Sequence, residues 1–149
     1  MNYEITFDTQ LLLPIDKNNT KIIETDNEYL INDSSLKVLE HSCEYFGSSY
    51  SGRKEGTRNL TGITHKSPII IEESNKLIYF PTESPRLNTC SWIGFNNIKE
   101  YFNNNGKATI IFDNNRVLDL NISYGVLDNQ MLRSSKLESI LRKRLDTTS

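Results

Sequence analysis

The apolar residues of this chain come in short runs, and that limits what it can fold into. Leu11-Leu12-Leu13-Pro14-Ile15 and Pro68-Ile69-Ile70-Ile71 are the longest, and both are strand-sized. A membrane-spanning helix needs about 20 consecutive apolar residues, so runs of this length exclude one. The N-terminus has no basic segment followed by an apolar one, so no secretory signal is expected. With 149 residues the chain suits a single domain that buries its own core.

Turn clusters cut the first third into strands. Tyr3 to Phe7 alternates apolar and polar with period two, as a half-buried strand does. Leu11 to Ile15, Lys21 to Glu24 and Tyr29 to Ile31 follow across Asp-, Asn- and Thr-rich turns, which predicts an acidic β-meander over residues 1–33. Asp33-Ser34 then offers an N-cap, and Leu36, Leu39, Cys43 and Phe46 share one helical face, which predicts a helix over 35–46 ended by Gly47. Residues 47–62 hold four glycines and three basic residues. Their stripe of Tyr50, Arg53, Lys54, Thr57 and Leu60 fits a short helix over 52–60, with a structured loop as the alternative.

Strands resume at 69–72 and 77–80. Pro81 and Pro85 bracket a loop to Cys90, the segment 90–98 ends in a strand, and 103–106 reads as a turn. Residues 109–112 and 117–122 form a hairpin. Leu127, Met131, Leu137, Leu141 and Leu145 then fall on one face of a helix over 126–145. The pattern is an α+β single domain: antiparallel strands, a helix pair around 35–60 and a C-terminal amphipathic helix.

Charge divides the chain in two. The whole carries a net −2, but residues 1–46 hold three basic and nine acidic residues, a net of −6, and the rest carries +4. The second part therefore has the charge for a polyanion-binding face. Glycines at 47–62 let backbone N–H groups approach phosphates, Ser48, Ser49 and Thr57 can donate hydroxyls, Arg53, Lys54, Arg58 and Lys66 supply charge, and Tyr50 can stack or pack. The bland reading is a glycine-rich helix corner with solvated charges. Residues 133–144 add a net +4 on the last helix, which suits either a docking face or a solvated one.

Other chemistries fit less well. Gly47 to Lys54 nearly spells a phosphate-binding loop, but the lysine is one place late and no Ser or Thr follows it to hold Mg²⁺. His41, Cys43, His65 and Cys90 lack the two tight pairs of a structural zinc site. The two cysteines lie far apart in sequence and suit buried, reduced core positions. The carboxylates are scattered, with no pair that suggests acid–base catalysis.

The stretch from Ser42 to Thr57, Ser-Cys-Glu-Tyr-Phe-Gly-Ser-Ser-Tyr-Ser-Gly-Arg-Lys-Glu-Gly-Thr, resembles the signature of the ComK family of competence transcription factors of Gram-positive bacteria. The resemblance continues through His65-Lys66-Ser67-Pro68-Ile69, Phe80-Pro81-Thr82, Cys90-Ser91-Trp92-Ile93, Ile122-Ser123-Tyr124 and Asn129-Gln130, in family order. It covers residues 36–145, within a family-like region over 34–149. His41 stands where the family pattern has arginine.

The resemblance implies a cytoplasmic, nucleoid-associated activator of competence genes, without catalysis or cofactor. It would bind double-stranded DNA at paired A/T-rich promoter boxes, largely through the minor groove, as a homodimer or dimer of dimers. RNA polymerase is a further candidate partner. Ser48, Ser49, Tyr50, Arg53, Lys54, Arg58 and Lys66 are then the candidate DNA contacts, with Arg133, Lys136 and Arg142 as secondary backbone contacts. Better-known members extend past the end of this sequence, and their tails recruit an adaptor of the Clp protease; that recruitment is not expected of this sequence. A protein-interaction module of the same fold, with weak or no specific DNA binding, is the alternative.

Overall fold

Several apolar residues of this chain stand next to one another: Leu11-Leu12, Ile22-Ile23, Ile69-Ile70-Ile71, Ile78-Tyr79-Phe80 and Trp92-Ile93. In a strand, neighbours point to opposite faces, so each such pair requires a sheet covered on both sides. A computed structural model, which describes residues 2–148, has this sheet at its centre.

The sheet is built from β1 (Thr9–Asp16), β2 (Asn19–Glu24), β3 (Glu28–Ile31), β4 (Ile69–Glu72), β5 (Leu77–Pro81) and β6 (Trp92–Gly94). Its strands are antiparallel in the order β3-β2-β1-β6-β5-β4. A second antiparallel sheet, β7-β8-β9, consists of β7 (Ile98–Asn104), β8 (Lys107–Phe112) and β9 (Val117–Ser123). Helices α1 (Ser35–Tyr45) and α2 (Tyr50–Thr61) fall between β3 and β4, and α3 (Tyr124–Thr148) closes the described chain.

Each apolar pair divides between the two faces. Leu12, Ile22, Ile69, Ile71, Tyr79 and Trp92 pack with Val38, Leu39 and Cys43 of α1. Leu11, Ile23, Phe80 and Ile93 pack instead with Ala108, Ile110 and Phe112 of β8, Leu120 of β9 and Leu127 of α3. Further along α3, Leu137 and Leu141 cover Ile70 and Ile78. Each fully buried apolar side chain contributes about 1.5–3 kcal/mol.

The expected α+β architecture, the helix pair and the long C-terminal helix are all present. Ser34 caps α1, accepting a hydrogen bond from the Lys37 N–H at 3.2 Å. Gly47 follows at φ +85°, where a side chain is strained. The segment 47–62 holds a helix rather than a loop, and the helix runs longer than expected, from Tyr50 to Thr61.

Three expectations need correction. Residues 3–7 are not a strand. Tyr3 and Ile5 are buried alternately, as the pattern asked. They lie against α1 instead, where the Ile5 N–H donates to Ser42 Oγ at 3.1 Å. β1 already has β2 on one side and β6 on the other, so no edge is open beside its first residues. Residues 90–98 do not form one segment either: a 3₁₀ turn at Phe95–Asn97 sends β6 into one sheet and β7 into the other. The turn expected over 103–106 is tighter. β7 runs through Asn104, and Asn105 (φ +54°) and Gly106 (φ +93°) make a two-residue hairpin turn.

Two consequences can be measured. A Cβ on Gly94 would sit 2.9 Å from the Thr9 carbonyl oxygen and also clash with Asn97 Oδ1. Gly94→Ala should therefore cost about 1–3 kcal/mol in urea denaturation. Burial also pushes the Cys43 thiol up to about 12 and the Cys90 thiol up to about 11. Both should resist alkylation at about pH 8 in the native state and react in urea. A raised folded pKa leaves stability intact below the unfolded thiol value of about 8.5 and erodes it as pH climbs toward the folded values.

Candidate nucleic-acid interface

The glycine-rich segment is set by the cap between α1 and α2. Ser49 Oγ accepts the Gly52 N–H at 2.9 Å, capping α2. Gly52 lets Ser48 and Ser49 crowd this end: an added Cβ would lie 3.2 Å and 3.0 Å from their hydroxyl oxygens. Both serines thus sit at the N-terminal, positive end of a twelve-residue helix. At the other end, Thr57 Oγ1 donates to the Pro68 carbonyl at 2.6 Å and ties α2 to the entry of β4.

The basic residues of this segment separate. Arg53 turns toward the β4–β5 turn, where its Nη1 meets Glu73 Oε1 at 2.6 Å. Its side chain is only 13 % exposed, and its Nε has no hydrogen-bond partner among the described residues. Arg58 is paired with Glu55 one turn back on the exposed face of α2, its Nε 3.1 Å from Glu55 Oε2.

Lys54 is free of both pairs and faces a groove of about 530 Å³. Tyr50 and Lys54 of α2, His65 and Lys66 of the α2–β4 loop, and Ser84 and Arg86 of the β5–β6 loop line it. Among the described residues no carboxylate lines this groove, so its cations are not neutralised within it. Tyr50 stands edge-on to Trp92 with ring centroids 6.2 Å apart, and burial raises its phenol above the ordinary value. Its ring is therefore both a wall of the groove and the margin of the core.

Lys66 has φ +48°, the left-handed region that a lysine rarely adopts. Helix α3 holds it there. Gln130 Nε2 donates to the Lys66 carbonyl at 3.0 Å and to the Pro81 carbonyl at 2.8 Å. Arg133 donates to the Lys66 carbonyl at 3.3 Å and to the His65 carbonyl at 2.6 Å. A further bond, from Arg133 Nη1 to Gln130 Oε1 at 2.9 Å, fixes the two side chains to each other. Partial burial pushes the Arg133 guanidinium below its ordinary value. Lys136 Nζ reaches the Thr61 carbonyl at the end of α2 at 3.4 Å. Arg142, nine residues beyond Arg133, pairs loosely with Glu138 at 4.0 Å.

Of the ten residues expected from sequence, the structure gathers Tyr50, Lys54 and Lys66 into one groove and sets Ser48 and Ser49 at the helix start. Arg53 and Arg58 are held by carboxylates. Arg133 and Lys136 brace loops and helix ends from behind. Arg86 was missed because it lies in a proline-bracketed loop remote in sequence from the glycine-rich segment. His65 was weighed only as a metal ligand. No group of three or more His, Cys, Asp or Glu side chains able to hold a metal occurs among the described residues, and His41 instead meets Glu4 at 3.4 Å.

The pairing of Arg53 predicts a split between neighbours. Arg53→Ala should lower stability by about 1–2 kcal/mol, through lost packing and a broken ion pair, whereas Lys54→Ala should stay within about 0.5 kcal/mol of the parent in urea denaturation.

The family profile described as ComK protein matches residues 1–146, so the match includes the N-terminal strands that no motif block covered. A protein of Bacillus subtilis (strain 168) described as "Competence transcription factor" is 38% identical over 154 residues, covering 97% of this chain and 78% of the relative. No solved structure matches the chain.

Proposed function

From the membership of this chain in the ComK family, to which it belongs, we propose that it is a competence transcription regulator that binds double-stranded DNA through the groove between α2, the α2–β4 loop and the β5–β6 loop. The observation that carries this reading is the carboxylate-free groove into which Lys54, Lys66 and Arg86 converge. Cations on three separate segments can follow a phosphate backbone, and the serine hydroxyls at the start of α2 add neutral donors. The name of the Bacillus subtilis relative supports transcription as the process.

The finer reading is activation of competence genes from A/T-rich promoter boxes. The narrow minor groove of an A/T tract is strongly electronegative and attracts inserted Lys and Arg with few base-specific bonds. Arg86 and Lys54 lie on exposed positions suited to that insertion. In this reading Arg133 and Lys136 act through the backbone they hold rather than by touching DNA. Homodimers, or dimers of dimers, would span paired boxes, with RNA polymerase as a further partner. No catalytic step is assigned. No helix among the described residues is long and apolar enough to cross a membrane. The acidic first part of the chain favours a second role, protein binding, alongside or in place of specific DNA binding.

Fluorescence anisotropy tests this reading with two labelled duplexes, one carrying paired A/T-rich boxes and one G/C-rich. A preference of about tenfold for the first, with affinity falling steeply in salt, is expected. Lys54→Ala, Lys66→Ala and Arg86→Ala should each weaken binding and reduce the log–log salt slope by about 0.9 for every phosphate no longer neutralised. Unchanged slopes in all three would remove the groove from the interface.

A further inference from the structure

The two sheets leave a seam. β1 pairs with β6 at Leu11 and Leu12 and has Gly94 of β6 beside Thr9, so among the described residues only the far half of β1, residues 13–16, has no strand on that side. β9 is the last strand of its sheet and pairs only with β8. These open edges border one groove of about 340 Å³, lined by Leu11 and residues 13–16 of β1, by 118–121 of β9 and, along a third side, by Asn88, Thr89 and Ser91 of the β5–β6 loop. Consecutive residues of both strands line it. A groove lying on a sheet face would be lined by alternate residues, so this one runs along the strand edges. The starts of the two strands are tied together by Arg116, just before β9, which donates from Nε to Gln10 Oε1 at 3.0 Å.

Unpaired strand edges offer backbone donors and acceptors to an incoming strand. The apolar side chains at the seam fit the same use. Ile15, which lines it, is 56% exposed, and Leu13, Leu118 and Leu120 lie deeper. Its charges are of one sign: Asp16 and Asp119 line it, Glu83 lines the adjoining hollow, and no basic residue among those described lines either. Asp16 is held below its usual carboxylate range by hydrogen bonds from the Asn18 backbone and the Asn19 side chain, and so stays ionised. Carboxylates without a cation in the lining disfavour a phosphate backbone there.

We propose that this seam is a docking site for an extended segment of a partner protein, with apolar side chains on alternate residues and Lys or Arg at its ends. The segment would add a strand to the edge of β9, its apolar side chains resting on Leu118, Leu120 and Leu13 and its cations beside Asp16 and Asp119. The β5–β6 loop separates the two grooves, presenting Ser84–Arg86 to the basic one and Glu83 and Thr89 to the acidic one. One molecule can therefore hold a polyanion and a basic strand on neighbouring surfaces. This goes beyond the DNA reading and does not depend on it.

The test uses the full chain, no DNA, and the synthetic peptide Lys-Val-Thr-Val-Thr-Val-Lys, followed by amide chemical shifts. Saturable binding is expected, with shifts concentrated at residues 13–16 and 118–121. A counterpart with Glu at both ends should bind at least about tenfold more weakly. Asp16→Asn combined with Asp119→Asn keeps the hydrogen-bond acceptors and should weaken the lysine peptide by about the same factor, with the unfolding midpoint unchanged. Absence of saturation up to about 1 mM, shifts centred elsewhere, or equal affinity for the two peptides would overturn the proposal.

Discussion

A central sheet that is apolar on both faces must be covered twice, and the rest of the molecule follows from that demand. Neighbouring apolar residues such as Leu11-Leu12 and Trp92-Ile93 send one side chain to each face. Helix α1 covers one face, and the second sheet with α3 covers the other. Covering the second face brings α3 across the molecule to within reach of the α2–β4 loop. The site is thus a by-product of core packing: the helix that buries Ile70 and Ile78 through Leu137 and Leu141 also carries Gln130 and Arg133 to the carbonyls of residues 65, 66 and 81.

That brace changes what the basic residues mean. Arg133 holds backbone that would otherwise relax from the left-handed conformation at Lys66, whose strain costs on the order of 1–3 kcal/mol. A lysine fixed in this way is presented to a ligand with less entropy left to lose. Arg53 and Arg58, paired with Glu73 and Glu55, contribute to the shape of the corner. Charge is therefore sorted by position, with cations along one groove and carboxylates along the seam between the sheets.

Much of the fold is legible in the sequence, because periodicity and caps are local. Ser34, Gly47 and the leucines of α1 announce that helix, and the strand runs stand between clear turn clusters. Tyr3 and Ile5 mislead because period-two burial is the same whether a segment pairs with a strand or lies over a helix. The break at Phe95–Asn97 is hidden because no proline or charged residue interrupts Cys90 to Ile98, and the sheet order is what divides it. Within the site, Lys54 and Lys66 are visible beside the glycines. Arg86 is not, since loops remote in sequence meet only in the folded chain. Sequence composition also cannot distinguish the paired Arg53 from the groove-lining Lys54, because Glu73 reaches Arg53 from twenty residues away.

The central claim is that the braced groove, and not the acidic seam, meets DNA. Amide hydrogen exchange of the full chain with and without an A/T-rich duplex tests it most directly. The account predicts added protection at the start of α2, over residues 63–67 and over 84–86, with β9 unchanged. Protection confined to β9 and the end of β1, with the groove loops exchanging as before, would contradict it.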